Sequence, residues 1–100
     1  MEMKEILAAS TALGFDILSH GAETYRVEES IIRMCAAYGY QNTDVFVIPS
    51  SIVVTITDDT SAYLTRTRRI LSRDTDLDKV DKLNALCRQI CEQTPEYGEI

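Results

Sequence analysis

Apolar residues fall at three- and four-residue steps in two stretches at the start of the chain, run together or alternate in the middle, and return to helical steps near the end. From Lys4 to Ser19 the apolar stripe is Ile6, Leu7, Leu13, Ile17 and Leu18, with Ser10 and Gly14 at small positions along it. This spacing predicts an amphipathic helix. Gly14 inside it costs about 1 kcal/mol relative to alanine, which points to close approach by another backbone, that of the second helix. From Gly21 to Gly39 a second stripe runs through Val27, Ile31, Met34, Cys35 and Tyr38, and this stretch reads as the central helix. Gly39 is its stop, since glycine enters the left-handed conformation without a Cβ clash. His20-Gly21 leaves almost no loop between the two helices, predicting a tight αα-hairpin or a sharp corner.

After Gly39 the period changes. Asn42-Thr43-Asp44 supplies turn chemistry, Val45 to Ile48 is a short β-rich run closed by Pro49-Ser50, and Ile52 to Ile56 is a second, closed by Asp58-Asp59-Thr60. A third, polar and alternating, spans Ala62 to Ile70. Short connections predict an antiparallel meander with the helices on one face, hence an α+β fold in the order ααβββα. Because the first two runs are apolar at successive positions, both faces of that part of the sheet are expected to be covered, the second by a partner subunit.

Alternation in the third run sorts Ala62, Leu64, Arg66, Arg68 and Ile70 onto one face and Tyr63, Thr65, Thr67 and Arg69 onto the other. With Leu64 and Ile70 inward, Arg66 and Arg68 point inward too and call for carboxylate partners. Glu23 and Glu28, near the start of the second helix, are the expected partners. The competing reading is a solvated basic edge that discourages strand addition.

Thr75-Asp76-Leu77-Asp78 has the layout of a capping box, and Val80, Leu83, Leu86, Cys87, Ile90 and Cys91 carry a stripe that predicts a last helix to about Gln93. Pro95 stops it. Residues 1–94 therefore form one soluble domain, and 95–100 a polar tail or the start of a linker.

At 100 residues, 45% apolar and 26% charged, the chain is long enough for one core and too apolar for disorder. A net charge of -6 opposes nucleic-acid binding, which needs a basic face. No run of about 18 apolar residues predicts a bilayer span, and Met1 to Lys4 do not open a signal peptide. A soluble, cytosolic segment is expected. Cys35, Cys87 and Cys91 sit inside helical patterns, so they read as buried thiols rather than a disulfide framework or metal site. No cofactor is called for. Catalysis has little to build on: His20, the one histidine, sits at a helix end as a cap, and Ser50-Ser51 lacks a glycine-framed elbow.

Four blocks, Gly21 to Glu28, Val45 to Ser50, Thr65 to Ile70 and Asp76 to Asn84, resemble in that order the soluble N-terminal segment of the bacterial threonine/serine exporter family. The similarity runs from the first helix to about Gln93. It implies an inner-membrane exporter of small polar metabolites, with this segment on the cytoplasmic face. In that family a bundle of transmembrane helices follows, so the chain is expected to be a segment cut at the membrane boundary.

The first functional expectation is thus a cytosolic accessory or regulatory domain of an exporter, not an enzyme. Its expected partners are a transmembrane domain of the same or another protein, a further copy of itself, and a small polar or carboxylate solute. The alternative is a small anion-binding module in which Arg26, Arg66 and Arg68 hold a carboxylate or phosphate, with Thr24, Ser50 and Ser51 as hydroxyl donors. The candidate ligand-binding residues are Glu23, Arg26, Arg66 and Arg68.

Overall fold

The computed structural model describes residues 2–99. Its first helix, α1 (Met3–Ser19), buries two adjacent stripes: Ile6, Ser10, Leu13 and Ile17, and beside them Leu7, Thr11, Gly14 and Leu18. Two stripes are needed because α1 meets neighbours on several sides. It packs against α2 (Thr24–Ala37), α3 (Leu77–Gln93) and the strands β2 (Ser51–Thr57) and β3 (Tyr63–Arg69). The expectation that the second helix is central is corrected here. Only Val27, Ile31, Met34 and Cys35 of α2 are buried, so α1 is the more enclosed element. Gly14 does admit α2 closely, but through side chains rather than the expected backbone: a Cβ there would meet Ile31 Cδ1 at 2.6 Å and Val27 Cγ1 at 3.3 Å.

Both N-terminal helices end the same way. Ala22 N–H reaches Ile17 O and Gly21 N–H reaches Leu18 O, with Gly21 at φ 109°; Tyr40 N–H reaches Cys35 O and Gly39 N–H reaches Ala36 O, with Gly39 at φ 93°. Each is a Schellman stop, in which a left-handed residue lets the chain turn back onto the last carbonyls. At the start of α3 the cap is Asp76, whose Oδ1 accepts from Lys79 N–H at 3.0 Å. The cap is therefore Asp76 rather than Thr75, and it is a single side-chain cap in place of the expected reciprocal box, since Lys79 at the third helical position has no acceptor to return the bond.

The sheet is a meander of β1 (Asn42–Ile48), β2 and β3, antiparallel throughout. Together with the helices it makes the predicted α+β arrangement, in the order ααβββα. Register pairs Val47 with Ile52, Val45 with Val54, and Ile56 with Leu64, placing these on the helix-covered face. Ile52, Val54 and Ile56 of the central strand are fully buried. On the opposite face Phe46 faces Val53, and Asn42, Thr57 and Tyr63 form a row. Phe46 is 60% and Tyr63 68% exposed, so no element among the described residues covers that face.

α3 touches α1 and α2 and no strand, which makes three layers: sheet, helix pair, outer helix. Beyond it Thr94 takes a left-handed conformation, and Tyr97–Glu99 forms a 3-10 turn against α1. The expected polar tail is thus partly ordered. Tyr97 rests near Ala8, Ala9 and Ala12, and Tyr38 Oη donates to Pro95 O at 2.6 Å. Ile100, the end of that tail, and Met1 lie outside the described residues. None of the described helices is long and apolar enough to cross a membrane.

Candidate functional site

Where α1 ends, the chain that joins β3 to α3 passes over it. Ser19 O accepts from Asp74 N–H at 2.9 Å and His20 O accepts from Asp76 N–H at 3.0 Å, so the carbonyls at the end of α1 fasten this connection in place. His20 is the residue that caps α1, with Nδ1 2.7 Å from Asp16 O and Nε2 3.9 Å from Asp74 Oδ1. Gly21 turns the chain away at φ 109°, a left-handed conformation that glycine adopts freely, and a Cβ there would make only ordinary contact, 3.5 Å from Asp74 O. At the far end of β3, Ile70 is anchored through its N–H to Ser50 O at 2.8 Å.

Between these anchors lies a cleft of about 540 Å³, lined on one side by Phe15, Asp16, Ser19 and His20 and on the other by Arg68 to Asp74, Ile70 excepted. Arg68 enters it from the helix-covered face of the sheet, opposite Ile52. Its guanidinium carbon stands 3.9 Å from the centroid of the Phe15 ring, a cation–π stack that leaves the side chain half-buried.

The residues nominated from sequence do not gather here. Arg66 is on the same face as Arg68 but exposed, because it extends from an edge strand past the helix layer. Arg26 stacks over its neighbour Tyr25 at 5.5 Å and lines a different, smaller cleft between α2 and α3 with Glu29, Arg33 and Arg88. Glu23 is the exposed N-cap of α2 and makes no side-chain cap bond. Ser51 pairs with Arg69 on the uncovered face, away from Arg68.

The expected pairing of Arg66 and Arg68 with Glu23 or Glu28 does not form. Among the described residues the ion pairs are His20–Asp74 at 3.9 Å and, within α3, Lys82–Asp78 at 3.4 Å. The physical reason is twofold: Glu28 is engaged elsewhere, its Oε2 accepting from Val47 N–H at 3.0 Å, and an aromatic face takes the place of a carboxylate under Arg68. Sequence reasoning missed His20 and Phe15 as neighbours of Arg68. The signal for Phe15 was its place one residue past Gly14 on the side of α1 that meets β3.

The thiols lie apart from the cleft. Burial raises the Cys35 thiol, against hydrogen bonding with Ser10 and Thr43 that lowers it. Burial likewise pushes the Cys87 thiol up to about 11, with the neighbouring Cys91 adding to the rise. Such thiols are poor nucleophiles and poor metal ligands in this state.

No curated protein and no solved structure shows a significant match to the chain. The family model named ThrE, described as a threonine/serine exporter, matches residues 9–100. That span runs from within the first helix through the last turn and covers most of the chain, so the chain belongs to the threonine/serine exporter family.

Proposed function

We propose that this chain is the soluble accessory or regulatory domain of a threonine/serine exporter-like transporter, acting at the cytoplasmic face of the bacterial inner membrane. The observation that carries this is the family match over residues 9–100, a span whose described helices include none able to cross a bilayer. In this reading membrane-spanning segments outside these residues form the path for a small polar amino acid or carboxylate. The α+β domain acts on them through subunit contact or by sensing the solute.

The test is efflux from cells preloaded with labelled threonine or serine. The intact exporter locus is compared with one lacking residues 9–93. Slower efflux at an unchanged level of membrane-embedded protein supports the role, and equal efflux for both solutes overturns it.

A further inference from the structure

Arg68 is held in place by an aromatic ring, and no carboxylate among the described residues pairs with it. Stacking 3.9 Å above Phe15 fixes the guanidinium plane, yet among the described residues it takes part in no ion pair. Nor does it donate to any side chain or carbonyl in the hydrogen bonds of the described residues. A half-buried guanidinium without an acceptor is costly unless solvent or a ligand supplies one. The cleft it enters is also built rather than incidental, since its opposite lip is pinned by Asp74 N–H on Ser19 O and Asp76 N–H on His20 O. A volume of about 540 Å³ suits a small molecule.

The chemistry of the lining narrows the class. Arg68, Arg69 and Arg73 bring positive charge and Ser72 a hydroxyl, while Asp16 and Asp74 line the same cleft with negative charge. A phosphate, which concentrates up to two charges on the one head that the cleft would hold, meets those carboxylates unfavourably. A single carboxylate head matches a planar guanidinium fork through two parallel hydrogen bonds. We propose that this cleft binds a small carboxylate anion, gripped by Arg68 with Arg73 and Ser72 at the rim. The proposal goes beyond the exporter role and does not depend on it.

Calorimetric titration of the whole chain with acetate, succinate and inorganic phosphate tests it, each ligand taken to about 20 mM to reach weak binding. Saturable heat is expected for acetate or succinate with Kd near or below about 1 mM, and weaker binding for phosphate. Arg68→Gln is expected to weaken carboxylate binding at least about tenfold, through loss of the charged fork. Arg68→Lys keeps charge and stem but not the planar fork, so it is expected to weaken binding too, with circular dichroism confirming an unchanged fold. Arg26→Gln, in the other cleft, is expected to leave binding unchanged.

No heat from either carboxylate overturns the proposal. So does tighter binding of phosphate, or wild-type affinity in both folded Arg68 variants. The efflux measurement is separate: absent binding leaves the exporter role standing, and equal efflux leaves a measured carboxylate site standing.

Discussion

The carboxylate of Glu28 on α2 accepts a hydrogen bond from the backbone N–H of Val47 at 3.0 Å, tying the helix to the outer edge of β1. Register explains why that N–H is free. Ile70 N–H bonds Ser50 O, so the even-numbered residues of β2 face β3 and its odd-numbered residues face β1. Val47, opposite Ile52, therefore directs its N–H away from the sheet. Without Glu28 this part-buried donor has no acceptor, so Glu28→Ala is expected to lower the free energy of unfolding by about 1–2 kcal/mol. Glu28→Gln, which keeps an acceptor oxygen, should lose less. Urea denaturation measures both, and an unchanged midpoint for the alanine variant counts against the account.

Gly14 carries the packing of α1 on α2. An added Cβ would press to 2.6 Å and 2.9 Å on two carbons of Ile31, which is itself almost fully buried and has little room to yield. Gly14→Ala improves helix propensity by about 1 kcal/mol, but overpacking a core usually costs about 1–3 kcal/mol. Net destabilisation is expected, visible as a lowered Tm. A raised Tm would mean that Ile31 repacks freely.

Thr11 is fully buried, and its hydroxyl has no hydrogen-bond partner among the described residues. Valine has nearly the same shape without the hydroxyl. Thr11→Val is expected to be neutral or to stabilise by up to about 1 kcal/mol, since it removes a buried polar group that none of the described residues satisfies. Thermal unfolding of the variant checks the sign, and a clear loss of stability sinks the prediction.

Cys87 stays protonated well into alkaline solution because burial lifts its thiol to about 11. At pH 8 its alkylation by iodoacetamide in the native protein should run about a hundredfold slower than that of a free thiol, and mass spectrometry of the modified peptides reads this directly. The sign of the linkage follows. The native pKa is raised, so the stability tied to the neutral thiol is present below the unfolded value and drains away as pH rises from about 8.5 towards 11. The Cys87→Ala variant is expected to show a smaller fall over that window, and an identical fall would remove Cys87 as its cause.

The elements themselves were legible. Helical spacing over Ile6 to Leu18 and Val27 to Tyr38, the β-rich runs at Val45 and Ile52, and the alternation in Ala62 to Ile70 each appear as an element of the expected kind, the last one residue shorter at each end. The candidate site was legible only in part. Arg68 does line a cleft, but Arg26, Arg66 and Glu23 were grouped with it by residue type, and type says nothing of which wall a side chain reaches. The carboxylate pairing failed for the same reason. Glu28 had two possible claims on it, an arginine or an unpaired strand N–H, and only the position of α2 on β1 chose between them.

What the sequence by itself determined is local: the order and type of the elements, the sheet face each β3 residue takes, and the stops at Gly21 and Gly39. These follow from repeat spacing and from backbone angles that only glycine adopts freely. The tertiary structure decided which helix is enclosed, and that Arg68 rests on Phe15 while Arg66 stands in solvent. Those outcomes depend on distances between segments far apart in the chain, set by how three layers pack, and no spacing rule within one segment contains them.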